Sequence, residues 1–98
     1  MKAVRITGRF VYENGLPVQG IVRFIPNRVW VDVDGLRYAC LAPEVILQGG
    51  RFDTELTRTD TGPYEWYYTV ITPMGEYKVR VTKAGPLRLK DLIARKNV

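Results

Sequence analysis

Two pairs of acidic side chains fall at strand spacing: Asp32 with Asp34, and Asp53 with Glu55. In an extended chain this spacing puts both members of a pair on one face. Two such carboxylates can share acid–base work when an apolar pocket raises the pKa of one of them. Nothing around either pair supplies such a pocket, so solvated strand faces are expected. Three acids close together also fall short of an oxygen-ligand loop with calcium spacing. Cys40, in Tyr38-Ala39-Cys40-Leu41, reads as a small buried hydrophobe. Asp60, in Arg58-Thr59-Asp60-Thr61-Gly62, has the setting of a turn-forming side chain. Gly49-Gly50 precedes a strand pattern, where a phosphate loop would precede a helix. The 98 residues include no His and no Ser. That excludes Ser-His-Asp and Cys-His devices, His-ligated metals and the usual base near neutral pH. One cysteine allows neither an internal disulfide nor a zinc cluster. The expectation is a protein that is not an enzyme, with no catalytic residue, metal ligand or cofactor.

Binding chemistry is better represented. The net charge is +5, and it is unevenly placed. Up to Tyr77 the chain has eight basic and nine acidic residues; from Lys78 to Val98 it has seven basic residues against Asp91 alone. A basic terminal segment can meet nucleic acid, a membrane surface or an acidic protein face. Six tyrosines and two tryptophans invite a base-stacking reading. However, Tyr12, Trp66, Tyr68 and Tyr77 sit at alternating strand positions, where aromatics fill a core. Trp30 differs, because its alternation partners are Arg28 and Asp32. An exposed tryptophan there would suit a protein interface.

The elements that must position these residues follow a period of two. Lys2–Tyr12 alternates with Val4, Ile6, Gly8, Phe10 and Tyr12 on one face, Gly8 marking a bulge or a close backbone approach. Asn14-Gly15 is hairpin-turn chemistry. Val18–Pro26 alternates again, and Val29–Val33 and Leu36–Cys40 flank Asp34-Gly35, a strong hairpin signal. Further strands are expected at 44–48, 51–57, 65–72 and 76–82. The segment from Leu87 reads as extended and then as one helical turn, with Leu92 and Ile93. The expected core is Val4, Ile6, Phe10, Val22, Phe24, Leu47, Phe52, Leu56, Tyr68, Val70, Val79 and Val81. Short strands at turn signals every 8–12 residues indicate an all-β fold, an antiparallel two-sheet β-sandwich of immunoglobulin-like type, with a small five-stranded barrel as the alternative. The expected organisation is one domain over residues 1–98, with a basic C-terminal segment at about 84–98. No apolar run approaches the ~20 residues that span a bilayer, and the N-terminus lacks a signal peptide's apolar core. No membrane partner is expected, and synthesis is expected in a reducing cytoplasm.

With the strands placed, the chain resembles a family: the small sandwich domains of tailed bacteriophages infecting actinobacteria, known as minor tail proteins or found at the start of tail-fibre proteins. The resembling residues are Thr7-Gly8, the run Leu16-Pro17-Val18-Gln19-Gly20-Ile21-Val22-Arg23-Phe24-Ile25-Pro26, Gly50-Arg51-Phe52, Leu56, Thr59-Asp60, Tyr68-Thr69-Val70, and Leu89 with Asp91-Leu92. They keep the family's order over about four-fifths of the chain. Gly8, Asn14-Gly15, Pro17 and Gly20 also resemble sandwich modules similar to carboxypeptidase regulatory domains, which share the general fold. The Val29–Cys40 hairpin has no counterpart in the tail family's proline-rich connection. The resemblance implies a non-enzymatic virion structural protein, a minor tail or tail-tip component contacting other virion subunits as a symmetric oligomer. Capsid decoration is the alternative within that class, and a basic nucleic-acid-binding module the alternative outside it. Fibre proteins continue beyond this domain while this chain stops at Val98, so a free-standing subunit of the virion, made in the host cytoplasm, is expected.

The residues expected to meet a partner are Trp30 and, in the C-terminal segment, Leu87, Arg88, Leu89, Lys90, Arg95 and Lys96. Two outcomes stand level for that segment: Leu87 and Leu89 complete an edge strand of this domain, or they dock on a neighbour.

Overall fold

The computed structural model describes residues 3–94. Nine strands and one short helix follow the chain: β1 (Ala3–Arg9), β2 (Ile21–Pro26), β3 (Trp30–Val33), β4 (Leu36–Ala39), β5 (Glu44–Ile46), β6 (Arg51–Thr57), β7 (Tyr68–Thr72), β8 (Gly75–Val79), β9 (Leu87–Arg88) and α1 (Leu89–Ala94). Two sheets form the body, a three-stranded one in the order β6-β1-β9 and a four-stranded one in the order β5-β2-β7-β8. The β3–β4 hairpin is a separate ribbon. The fold is an all-β sandwich, with no closed barrel. The pairing is antiparallel as expected, save that the two-residue β9 runs parallel to β1 at the edge.

The alternation puts Val4 and Ile6 of β1, Val22 and Phe24 of β2, Phe52 and Leu56 of β6, and Tyr68 and Val70 of β7 inside the sandwich. Every expected core residue is buried except Phe10, which packs half-buried against the Phe52 ring. Val18, Val31, Trp66, Leu89 and Leu92 join them. Tyr12 overturns its expectation, at 50% exposed. The alternation continues beyond β1 in sequence, but the chain leaves the sheet there and reverses locally, with Val11 bridged to Pro17. Asn14-Gly15 therefore closes a small terminal loop. It does not join two paired strands, since β1 and β2 lie in different sheets.

Gly8 is a close approach, as its position in the strand pattern suggests. A Cβ there would overlap the Phe52 ring lying across it. Two threonines tie the layers at the end of β6. Thr57 Oγ1 accepts the Leu41 N–H at 3.0 Å, and the Thr57 N–H donates to Tyr68 Oη of the other sheet at 2.9 Å. Thr59 Oγ1 accepts the Val81 N–H at 2.9 Å. Among the described residues every buried side-chain polar atom is hydrogen-bonded, as burial requires. None of the described helices is long and apolar enough to cross a membrane.

Candidate functional site

The carboxylates come to rest beside arginines. Arg5 Nε donates to Asp53 Oδ1 at 2.9 Å, and Arg58 Nε to Asp60 Oδ1 at 3.0 Å. Each hydrogen-bonded guanidinium holds its partner's carboxyl below the ordinary range. That is the direction opposite to a proton donor's need. Asp32 lies 3.7 Å from Arg37 across the hairpin, and Asp34 occupies the turn. Cys40 is half-buried, and burial pushes its thiol pKa up, away from the reactive thiolate.

The exposed surface is more informative. Asp34 and Gly35 both take positive φ, 51° and 76°, the type I′ geometry that suits a two-residue hairpin. The ribbon packs its inward side chains, Val31, Val33 and Tyr38, on the core. Trp30 faces outward opposite Ala39, 40% exposed, with the Arg37 guanidinium 4.0 Å above its ring. Leu36 beside the turn is 58% exposed, and Val29 at the base 79%. A ribbon that belongs to neither sheet thus presents three large apolar side chains to solvent.

A second apolar area lies on the outer face of the four-stranded sheet. Ile46 on the edge strand β5 stands opposite Ile21 of β2, and Ile25 is exposed on the same face. Arg23 Nε meets Glu44 Oε2 at 3.0 Å beside them.

The C-terminal segment resolves in favour of its own domain. Leu87 pairs with Ile6, while Leu89 and Leu92 are buried. Leu87, half-buried, and Leu89 thus complete the edge of the three-stranded sheet beside β1. Arg88 and Lys90 alternate with them and remain exposed, Arg88 Nε donating to Asp91 Oδ2 at 3.1 Å. Arg95 and Lys96 lie outside the described residues. Trp30 and these exposed cations are some distance apart in the chain, and among the described residues no ion pair, hydrogen bond or cation–π contact joins them. Sequence reasoning missed Leu36 and Val29 as exposed. By alternation and register both share the face of Val31 and Val33, and periodicity does not report where the core beneath that face ends.

Compared with models of known protein families the chain matches none, and no curated protein is detectably similar to it.

Proposed function

We propose that the chain is a non-enzymatic structural subunit of a bacteriophage virion, a minor tail or tail-tip component that binds neighbouring virion subunits. The observation that carries this reading is the β3–β4 ribbon, with Val29, Trp30 and Leu36 exposed on a hydrogen-bonded scaffold. Exposed aromatic and aliphatic side chains on a rigid frame suit protein docking, because little conformational entropy is lost on binding. The exposed isoleucines of β2 and β5 offer a second contact of the same kind.

The ordered motifs support the virion assignment. Val22, Phe24, Phe52, Leu56, Tyr68, Val70, Leu89 and Leu92 in those motifs are all core residues. The resemblance therefore speaks first to a shared way of building the sandwich, and the exposed ribbon speaks to what it does. Immunogold electron microscopy of purified particles tests the assignment. Label at the tail or tail tip is expected. Label on capsid faces would make this a decoration protein instead, and particles free of label would overturn the virion reading.

A further inference from the structure

The cleft beside the end of β9 holds cations that the fold itself does not need. Arg9 and Arg51 stand directly opposite each other across β1 and β6. The Phe10 N–H donates to the Gly50 carbonyl at 2.7 Å in the adjacent pair. By alternation, Arg9–Arg51 is then a pair without ladder hydrogen bonds, the kind whose side chains approach most closely. Like charges placed so oppose strand pairing. Neither arginine has an ion pair among the described residues, whereas Asp53 is held by Arg5, Glu44 by Arg23 and Asp91 by Arg88.

A second observation falls at the same place. β9 pairs with β1 only at Ile6 and Thr7, and the chain then turns into α1. Because the Phe10 N–H points toward β6, the N–H and carbonyl of Arg9 point the other way, toward the side β9 no longer covers. A cleft of about 1070 Å³ opens here, with Arg9, Arg51, Arg88, Lys90, Phe52 and Ile93 in its walls.

We infer that this cleft docks an extended, carboxylate-rich segment of another polypeptide. The segment's backbone extends the sheet at Arg9, and its Asp or Glu side chains meet Arg9, Arg51 and Lys90. Strand addition supplies main-chain hydrogen bonds and guanidinium–carboxylate pairs supply specificity. A polypeptide fits better than a nucleic acid for two reasons. The free edge offers peptide hydrogen bonds, and the Phe52 ring is buried and closed to base stacking. The chain's own last residues, Arg95-Lys96-Asn97-Val98, carry the wrong charge for the site. The cleft is separate from the β3–β4 ribbon, so its test stands or falls independently of the virion reading.

The test is fluorescence anisotropy on the full chain with a labelled peptide alternating Glu with Val, its Gln-Val counterpart, and an oligothymidylate. The acidic peptide is expected to bind, and the Gln-Val peptide at least about tenfold more weakly. Arg9→Gln with Arg51→Gln should weaken the acidic peptide by about tenfold or more, while Lys83→Gln, outside the cleft, should leave it unchanged. Circular dichroism melting establishes that the double variant is folded; if it is not, Arg51→Gln alone is read in the same way. Failure of the acidic peptide to bind, equal binding by the Gln-Val peptide, or equal binding by the arginine variant would overturn the inference. Tighter binding of the oligothymidylate would reassign the cleft to nucleic acid and overturn it too.

Discussion

Tyr68 ties one layer of the sandwich to the other through a single hydroxyl. Its ring is buried on β7, and its oxygen accepts the Thr57 N–H of β6 at 2.9 Å. Burial pushes its pKa up to about 12, from about 10 in an unfolded chain. As pH rises from about 10 to about 12 the unfolded state loses this proton while the folded state keeps it. Stability should therefore fall across that window, by about 2–3 kcal/mol. Urea melts at stepped pH should show this fall in the native protein and its absence in Tyr68→Phe. At neutral pH the same substitution leaves the Thr57 N–H buried without an acceptor, which should cost about 1–3 kcal/mol. Arg51→Gln should move stability the other way, raising the melting temperature by about 1–6 °C as the repulsion with Arg9 is relieved. The buried tyrosine was legible from its place in an alternating run. The opposition of the two arginines was not, because register exists only between strands and no local signal in either states it.

At the scale of elements, local chemistry was most readable where it closes on itself. Asp34-Gly35 announced the β3–β4 hairpin, and β6 occupies the expected 51–57 span. The change from Leu87 and Leu89 at a spacing of two to Leu92 and Ile93 signalled a strand passing into a helical turn, as found in β9 and α1. The parallel pairing of β9 with β1 was not legible, because it depends on which sheet edge remains open after the other strands have paired. Burial of Leu89 and Leu92 follows from that pairing. Leu89→Ala should accordingly cost about 2–4 kcal/mol in chemical denaturation. Trp30→Ala, losing an exposed cation–π contact with Arg37, should cost no more than about 1 kcal/mol. Comparable losses for the two would mean that the ribbon supports the sandwich as much as the C-terminal segment does.

For the whole molecule, the division between an apolar interior and its exposed faces follows from alternation, and that much was readable in the sequence. The surface was harder to read. The +6 balance of the last fifth of the chain suggested one basic tail. Part of it is instead spread over the sandwich, with Arg80 beside Glu65 at 3.3 Å, Lys78 over the Tyr67 ring at 5.4 Å and Arg88 beside Asp91. Exposed apolar side chains lie on the β3–β4 ribbon and on the isoleucines of β2 and β5, and others, such as Leu16, Tyr64 and Met74, are scattered over the loops. Docking is the role we propose for a molecule so arranged. That it docks through the ribbon is tested most directly by quantitative mass spectrometry of gradient-purified particles, produced with either the native chain or Trp30→Ala with Leu36→Asp. The native chain should be present in a fixed ratio to the major virion proteins, and the folded double variant should be depleted by about tenfold or more. Incorporation of the variant at the native ratio, or absence of the native chain from the particles, would contradict the account.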